Sequence, residues 1–240
     1  LHELVVITSH SKPISEAKPS SDFKPISDSK PISDAKPIND ANQSMTPGQP
    51  MTSNKPSLTV FCGSRHGQDQ VHIDDAAAFG HWLGEQSWHL VYGGGNVGLM
   101  GEIARAALQS GAEVTGIIPE SLMKREVGLE GLSRLEVVSD MAVRKQALID
   151  LGDAFVVLPG GLGTLDEFFE VATLLQLGYH RKPIVIMNRN GFWDPLLALV
   201  KQQVSAGFVS QKELDAWHVV DSLQALQSCC LALLGSRKTA

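Results

Sequence analysis

The chain is poor in several things, and each shortage removes a class of protein. Of its 240 residues only three are cysteines, Cys62, Cys229 and Cys230. Two of them are adjacent, and none has metal-ligand spacing to a second Cys or His pair, so neither a disulfide framework nor a zinc site is expected. Such sparse thiols suit buried or idle positions in a reducing cytoplasm, the expected location. No apolar run approaches the roughly 20 residues that span a bilayer, so no membrane partner is expected. The opening LHELVVITSH has a short apolar run but no basic n-region and no clear cleavage site, and is not read as a signal peptide. Positive charge is not in excess: the net charge is −6, which argues against a broad nucleic-acid surface. The Gly-Lys-Ser/Thr triplet of a Walker loop is missing.

What is present falls into two parts. Residues 12–41 repeat every six as KPISEA, KPSSDF, KPISDS, KPISDA and KPINDA. A stacked β-solenoid needs unblocked backbone donors, and this repeat has a proline in every unit. Low hydrophobicity with Pro, Ser, Lys and Asp predicts a disordered, low-complexity arm over residues 1–55. Residues 56–240 then form a single folded domain, for which the chain's 43% hydrophobic content supplies a sizeable core.

Within that domain, apolar strand-like runs alternate with helix-like ones. LTVFCGS, WHLVYGGG, EVTGIIP, LEVVS, AFVVLPGG, KPIVIMN and WHVVDS read as strands. Between them lie amphipathic segments such as 70–86, LMGEIARAALQSG, DMAVRKQALIDLG, TLDEFFEVATLLQLG and DPLLALVKQQVSAG. Continuous Val/Ile/Leu strands separated by helices predict an α/β fold, a Rossmann-like doubly wound parallel sheet with helices on both faces. Ligands of such folds bind outside the carboxyl ends of the strands.

Three strands end in glycine-rich turns: CGSRHG, YGGGNVG and LPGGLG. Backbone N–H groups there, with the helix macrodipole, suit a phosphate. GGGNVG fits G-x-G-x-x-G through Gly93, Gly95 and Gly98, but the next strand ends in Ile118 and Pro119 rather than in a ribose-binding acid, which disfavours a dinucleotide oxidoreductase. In LPGGLGTLDEFFE, Thr164 and Glu167 have the spacing of a capping box, a purely local role. Glu170 follows three residues after Glu167, on nearly the same helix face, and two such carboxylates also suit a centre that becomes positively charged during a reaction. The residues alone leave both readings open.

PGGLGTLDE, residues 159–167, matches P-G-G-x-G-T-x-x-E, and DMAVRKQ carries an Arg-Lys pair on the preceding helix. Together with VFCGSRHG, YGGGNVGLMG and QLGYHRKPIVIMN, these motifs resemble the LONELY GUY (LOG) family over roughly residues 58–225. The resemblance implies hydrolysis of the N-glycosidic bond of cytokinin riboside 5′-monophosphates, N6-substituted AMP or AMP itself, to free base and ribose 5-phosphate. It implies Arg144 and Glu167 as the catalytic pair. Gly160, Gly161, Gly163 and Thr164 would hold the phosphate, helped by Ser64 and Gly95. Lys145, the second member of the Arg-Lys pair, joins the binding set, and Glu170 would contact the ribose. It implies a homodimer, and neither metal nor cofactor. One departure is that many relatives carry small residues where this chain has Arg65 and His66. Two alternatives on the same scaffold are a general AMP or purine-nucleotide nucleosidase and a non-catalytic carrier of nucleotide or molybdenum cofactor.

Overall fold

The structure is a computed structural model that describes residues 55–235, except 127, 128 and 130. The expected arm, residues 1–55, lies outside the described residues apart from Lys55.

Seven strands form one all-parallel sheet: β1 Ser57–Phe61, β2 His89–Tyr92, β3 Val114–Pro119, β4 Arg134–Val138, β5 Ala154–Val157, β6 Ile184–Met187 and β7 Trp217–Val220. Among the described residues eight helices accompany them: α1 Gln70–Glu85, α2 Gly98–Gln109, α3 Glu120–Glu126, α4 Met141–Leu151, α5 Leu162–Gln176, α6 Asp194–Ser205, α7 Gln211–Leu214 and α8 Leu223–Leu234. The strand order is β4-β3-β2-β1-β5-β6-β7. The chain works outward from β1 in one direction, then crosses back and works outward from β5 in the other. The switch point therefore lies between β1 and β5, whose register pairs Phe61 with Val157 at their carboxyl ends.

Because side chains alternate across a strand, the sheet builds two cores. Leu58 and Val60 of β1 face one with Phe79, Leu83, Ile103 and Leu226, the side covered by α1, α2 and α8. Phe61 faces the other with Phe155, Leu148, Phe168 and Leu196, the side covered by α4, α5 and α6. Helices on both faces explain why β1, β2, β3, β5 and β6 are buried along their whole length. The edge strands β4 and β7 keep exposed residues.

The predicted strands and long helices are found at their expected places. Three pieces were not foreseen: the short helices α3 and α7 and a 3₁₀ turn at Arg189–Gly191. Ser210 and Glu213 supply a capping box for α7, a local signal in the sequence that the longer hydrophobic periodicities obscure.

Helix α1 packs on α2 at backbone distance. A β-carbon added at Gly80 would lie 2.4 Å from the Ile103 carbonyl oxygen, and one at Gly84 would lie 2.4 Å from the Ser110 β-carbon. Two effects thus oppose each other in Gly80→Ala. Helix propensity favours alanine by about 1 kcal/mol. Overpacking against a backbone carbonyl costs about 1–3 kcal/mol. We expect packing to win, so that Gly80→Ala lowers the melting temperature by several degrees in a thermal denaturation scan. A rise in melting temperature would show that α1 and α2 do not approach this closely.

Candidate active site

Three loops meet at the switch point, and glycine is what lets them meet. The Gly63 amide, just past β1, donates to the Pro159 carbonyl just past β5 at 3.0 Å. The Met100 amide of α2 donates to the Gly63 carbonyl at 3.3 Å. Gly98 opens α2 with φ +64°, and a β-carbon there would sit 2.3 Å from the Ser64 carbonyl carbon and the Arg65 amide nitrogen. The third glycine of the G-x-G-x-x-G pattern is thus filled by protein backbone. Gly93, its first glycine, is filled likewise: a β-carbon would lie 2.1 Å from an Arg144 guanidinium nitrogen.

Around this junction lies a cavity of about 590 Å³. The β1–α1 loop contributes Cys62 to Gly67, and the β5–α5 turn contributes Pro159 to Thr164. Arg144 and Glu167 line it, as do Leu99, Met100, His72 and Phe192.

The catalytic pair implied by the resemblance is brought together here. Helix α4 begins at Asp140, whose side chain caps it by accepting from the Ala142 and Val143 amides at 2.9 and 3.0 Å. The Val143 amide bond, the Ser139 hydroxyl and the Ala142 amide hold the Asp140 carboxyl below its ordinary range. One turn further, Arg144 turns into the protein. Its Nε donates to the Ile117 carbonyl at 3.1 Å and its Nη2 to the Gly93 carbonyl at 3.2 Å. Its Nη1 lies 3.5 Å from Glu167 Oε1. The two side chains are only 8% and 11% exposed, so the pair is largely shielded from water and loses little to screening.

Glu167 is not a cap. Helix α5 starts earlier than the sequence pattern indicates, at Leu162, with Gly161 in the N-cap position and no side-chain capping bond. Thr164 is the third helical residue and is buried against the turn: a β-carbon at Gly160 would lie 2.1 Å from its hydroxyl oxygen. The capping-box reading of Thr164 and Glu167 is corrected accordingly. The N-cap thus falls three residues before Thr164, at a glycine, which leaves the first amides of α5 without a side-chain cap.

The other sequence-derived residues divide. Ser64, Gly160, Gly161, Gly163 and Thr164 line the cavity. Gly95 is buried and does not line it. Lys145 and Glu170 do not line it either, and lie with Glu167 around a small neighbouring cleft beside Phe61, Leu148 and Ile149. Lys145 Nζ is 2.9 Å from Glu170 Oε2 and 3.2 Å from Asp166 Oδ2. Its bond to Glu170, foremost, pushes the Lys145 ammonium above its ordinary range. Helices α4 and α5 are thus joined twice by charge, Arg144 to Glu167 and Lys145 to the acids beside it.

Sequence reasoning missed Gly93, Cys62, His72 and Phe192. Gly93 was visible as part of a glycine triplet, but its role depends on Arg144, 51 residues away. His72 and Phe192 meet edge to face with ring centroids 5.4 Å apart, and His72 Nδ1 is buried without a hydrogen-bond partner. No local motif announces that pair. Cys62 sits on the cavity wall, but burial and, secondarily, the Glu167 charge push its thiol far up, so it is not a thiolate nucleophile. Among the described residues no group of three or more His, Cys, Asp and Glu could hold a metal ion, and no helix is long and apolar enough to cross a membrane.

Comparison with known proteins joins this geometry to a lineage. Residues 100–229 match the family model described as "Possible lysine decarboxylase". The chain is 42% identical over 176 residues to the cytokinin riboside 5′-monophosphate phosphoribohydrolase LOG of Oryza sativa subsp. japonica, covering 73% of this chain and 72% of that one. It is 46% identical over 155 residues to the cytokinin riboside 5′-monophosphate phosphoribohydrolase of Rhodococcoides fascians, covering 64% and 78%. Among solved structures, the molybdenum cofactor binding protein of Rippkaea orientalis superposes with a TM-score of 0.55 at 20% identity, covering 76% of this chain and 96% of that one, a likeness of fold alone. The chain belongs to the LONELY GUY family.

Proposed function

We propose that the protein hydrolyses the N-glycosidic bond of cytokinin riboside 5′-monophosphates, releasing the free base and ribose 5-phosphate. The observation that carries this reading is the shielded Arg144–Glu167 pair beside the uncapped, glycine-built start of α5. The relatives reported above bear this activity in their names.

The geometry gives each part a task. The first amides of α5 and the positive end of its dipole suit the 5′-phosphate. Glu167 lies one turn further along the same helix, so a substrate anchored by its phosphate presents its ribose towards that carboxylate. Cleavage of the ribosyl–base bond builds positive charge on the sugar, which a carboxylate stabilises while it orients or activates the attacking water. The water adds to the anomeric carbon as the bond to the base nitrogen breaks, and the base leaves with the bonding electrons and takes up a proton. Arg144 remains cationic throughout. It fixes the Glu167 carboxylate and places a positive field near the departing base.

The decarboxylase wording of the family model finds no support in the residues. Among the described residues no lysine lines the cavity. Lys145, the nearest by sequence, has its ammonium stabilised by Glu170 and Asp166, the opposite of what Schiff-base chemistry needs.

A homodimer is the second part of the proposal. Helix α5 and the turn after it expose Leu162, Phe169, Leu177 and Tyr179, apolar surface that a second copy would cover. Light scattering of the purified chain should give twice 25.8 kDa, and a monomer mass at micromolar concentration would overturn the dimer.

The test of function is a substrate panel: isopentenyladenosine 5′-monophosphate, AMP and the two matching nucleosides, with free base as the readout. We expect base from the monophosphates and little from the nucleosides. Absence of base from every monophosphate would refute the activity. Equal cleavage of nucleosides and nucleotides would refute the phosphate anchor.

A further inference from the structure

We propose that Arg65 is a second anchor for the substrate's 5′-phosphate, a guanidinium clamp on the β1–α1 loop that acts together with the α5 turn. This rests on the function proposed above and adds a specificity-determining residue to the same site.

Arg65 lines the cavity together with Gly160, Gly161 and Thr164. Its backbone is held on two sides. The Arg65 amide nitrogen packs against Gly98, and its carbonyl oxygen lies 2.9 Å from where a Gly63 β-carbon would be. Gly63 itself is bonded to Pro159, so the loop that carries Arg65 is tied to the strand end that starts the α5 turn. The root of this side chain is therefore fixed relative to the glycines that would hold the phosphate.

The side chain, by contrast, is uncommitted. Among the described residues Arg65 makes no side-chain hydrogen bond and no ion pair. The neighbouring cations are all engaged. Arg144 faces Glu167 and Lys145 faces Asp166 and Glu170. His66 Nε2 is 3.0 Å from Glu102, which Arg105 holds in turn at 2.7 Å. The anion site at α5 is equally incomplete, since its N-cap is a glycine that gives no side-chain bond. A phosphate dianion seated on those amides would still have oxygens to satisfy. A planar guanidinium donates two parallel N–H bonds to such a group, which an ammonium on a flexible stem does not.

The experiment compares Arg65→Ser and Arg65→Lys with the unmodified full-length chain. Ribose 5-phosphate and ribose are titrated calorimetrically, and KM and kcat are measured with isopentenyladenosine 5′-monophosphate. Arg65→Ser should weaken ribose 5-phosphate binding roughly 10-fold, as loss of a charge-assisted contact does. It should raise KM by a similar factor while kcat stays within roughly 2-fold, since the contact is equal in ground and transition states. Arg65→Lys should fall between. A ribose 5-phosphate affinity that changes less than about 2-fold in Arg65→Ser, or no binding of ribose 5-phosphate by the unmodified chain, would overturn the clamp. Arg65-dependent binding of ribose 5-phosphate by a chain that releases no base from any monophosphate would support the clamp and reject the proposed activity.

Discussion

A buried guanidinium organises this molecule's site. Arg144 takes all three of its nitrogens to carbonyl or carboxylate oxygens: Ile117 within β3, Gly93 just past β2, and Glu167 on α5. A charge taken so far out of water is costly unless its donors are met, and removing one partner of such an arrangement typically costs about 3–5 kcal/mol. The sequence around it answers that requirement. Gly93 has no side chain because Arg144 occupies its place. Asp140 caps α4 so that its first turn is firm where Arg144 leaves it. The result joins β3, the loop after β2 and two helices at one point.

From that point the rest of the site follows as a division of charge. Behind the cavity, carboxylates and cations are matched across α4 and α5. In front, the β1–α1 loop and the α5 turn present amides and Arg65, with His66 on the same loop paired to Glu102. An acid beside a phosphate site is thus no contradiction. In the function proposed here the anionic end of a substrate would meet dipoles and a guanidinium, and the carbon that becomes cationic would meet Glu167, whose carboxylate pairs with Arg144.

Much of the fold was legible because the relevant signals are local. Parallel strands buried on both faces read as unbroken apolar runs, and the three turns around the site announced themselves with glycine. The Arg-Lys and PGGxGTxxE segments were legible as motifs, and the structure brings Arg144 and Glu167 within ion-pairing distance although 23 positions separate them in sequence. Legibility failed where a role depends on a distant partner. Thr164 and Glu167 have capping-box spacing, but Gly161 captures the N-cap and frees Glu167 for Arg144. Gly95 has the look of a phosphate-loop glycine and is buried without lining the cavity, while Gly93, two positions earlier, makes room for the arginine. His72 and Phe192, 120 positions apart, meet only after folding.

The central claim is that the Glu167 carboxylate, held by Arg144, stabilises the transition state rather than the fold. Replacing it by its isosteric amide tests this most directly: turnover of isopentenyladenosine 5′-monophosphate by Glu167→Gln, measured alongside its melting temperature and its ribose 5-phosphate affinity. The account predicts a fall in kcat of roughly 10²–10⁴-fold with binding of ribose 5-phosphate retained and the protein still folded at the assay temperature. A kcat near that of the unmodified chain, or a loss of activity that merely follows unfolding, would contradict it.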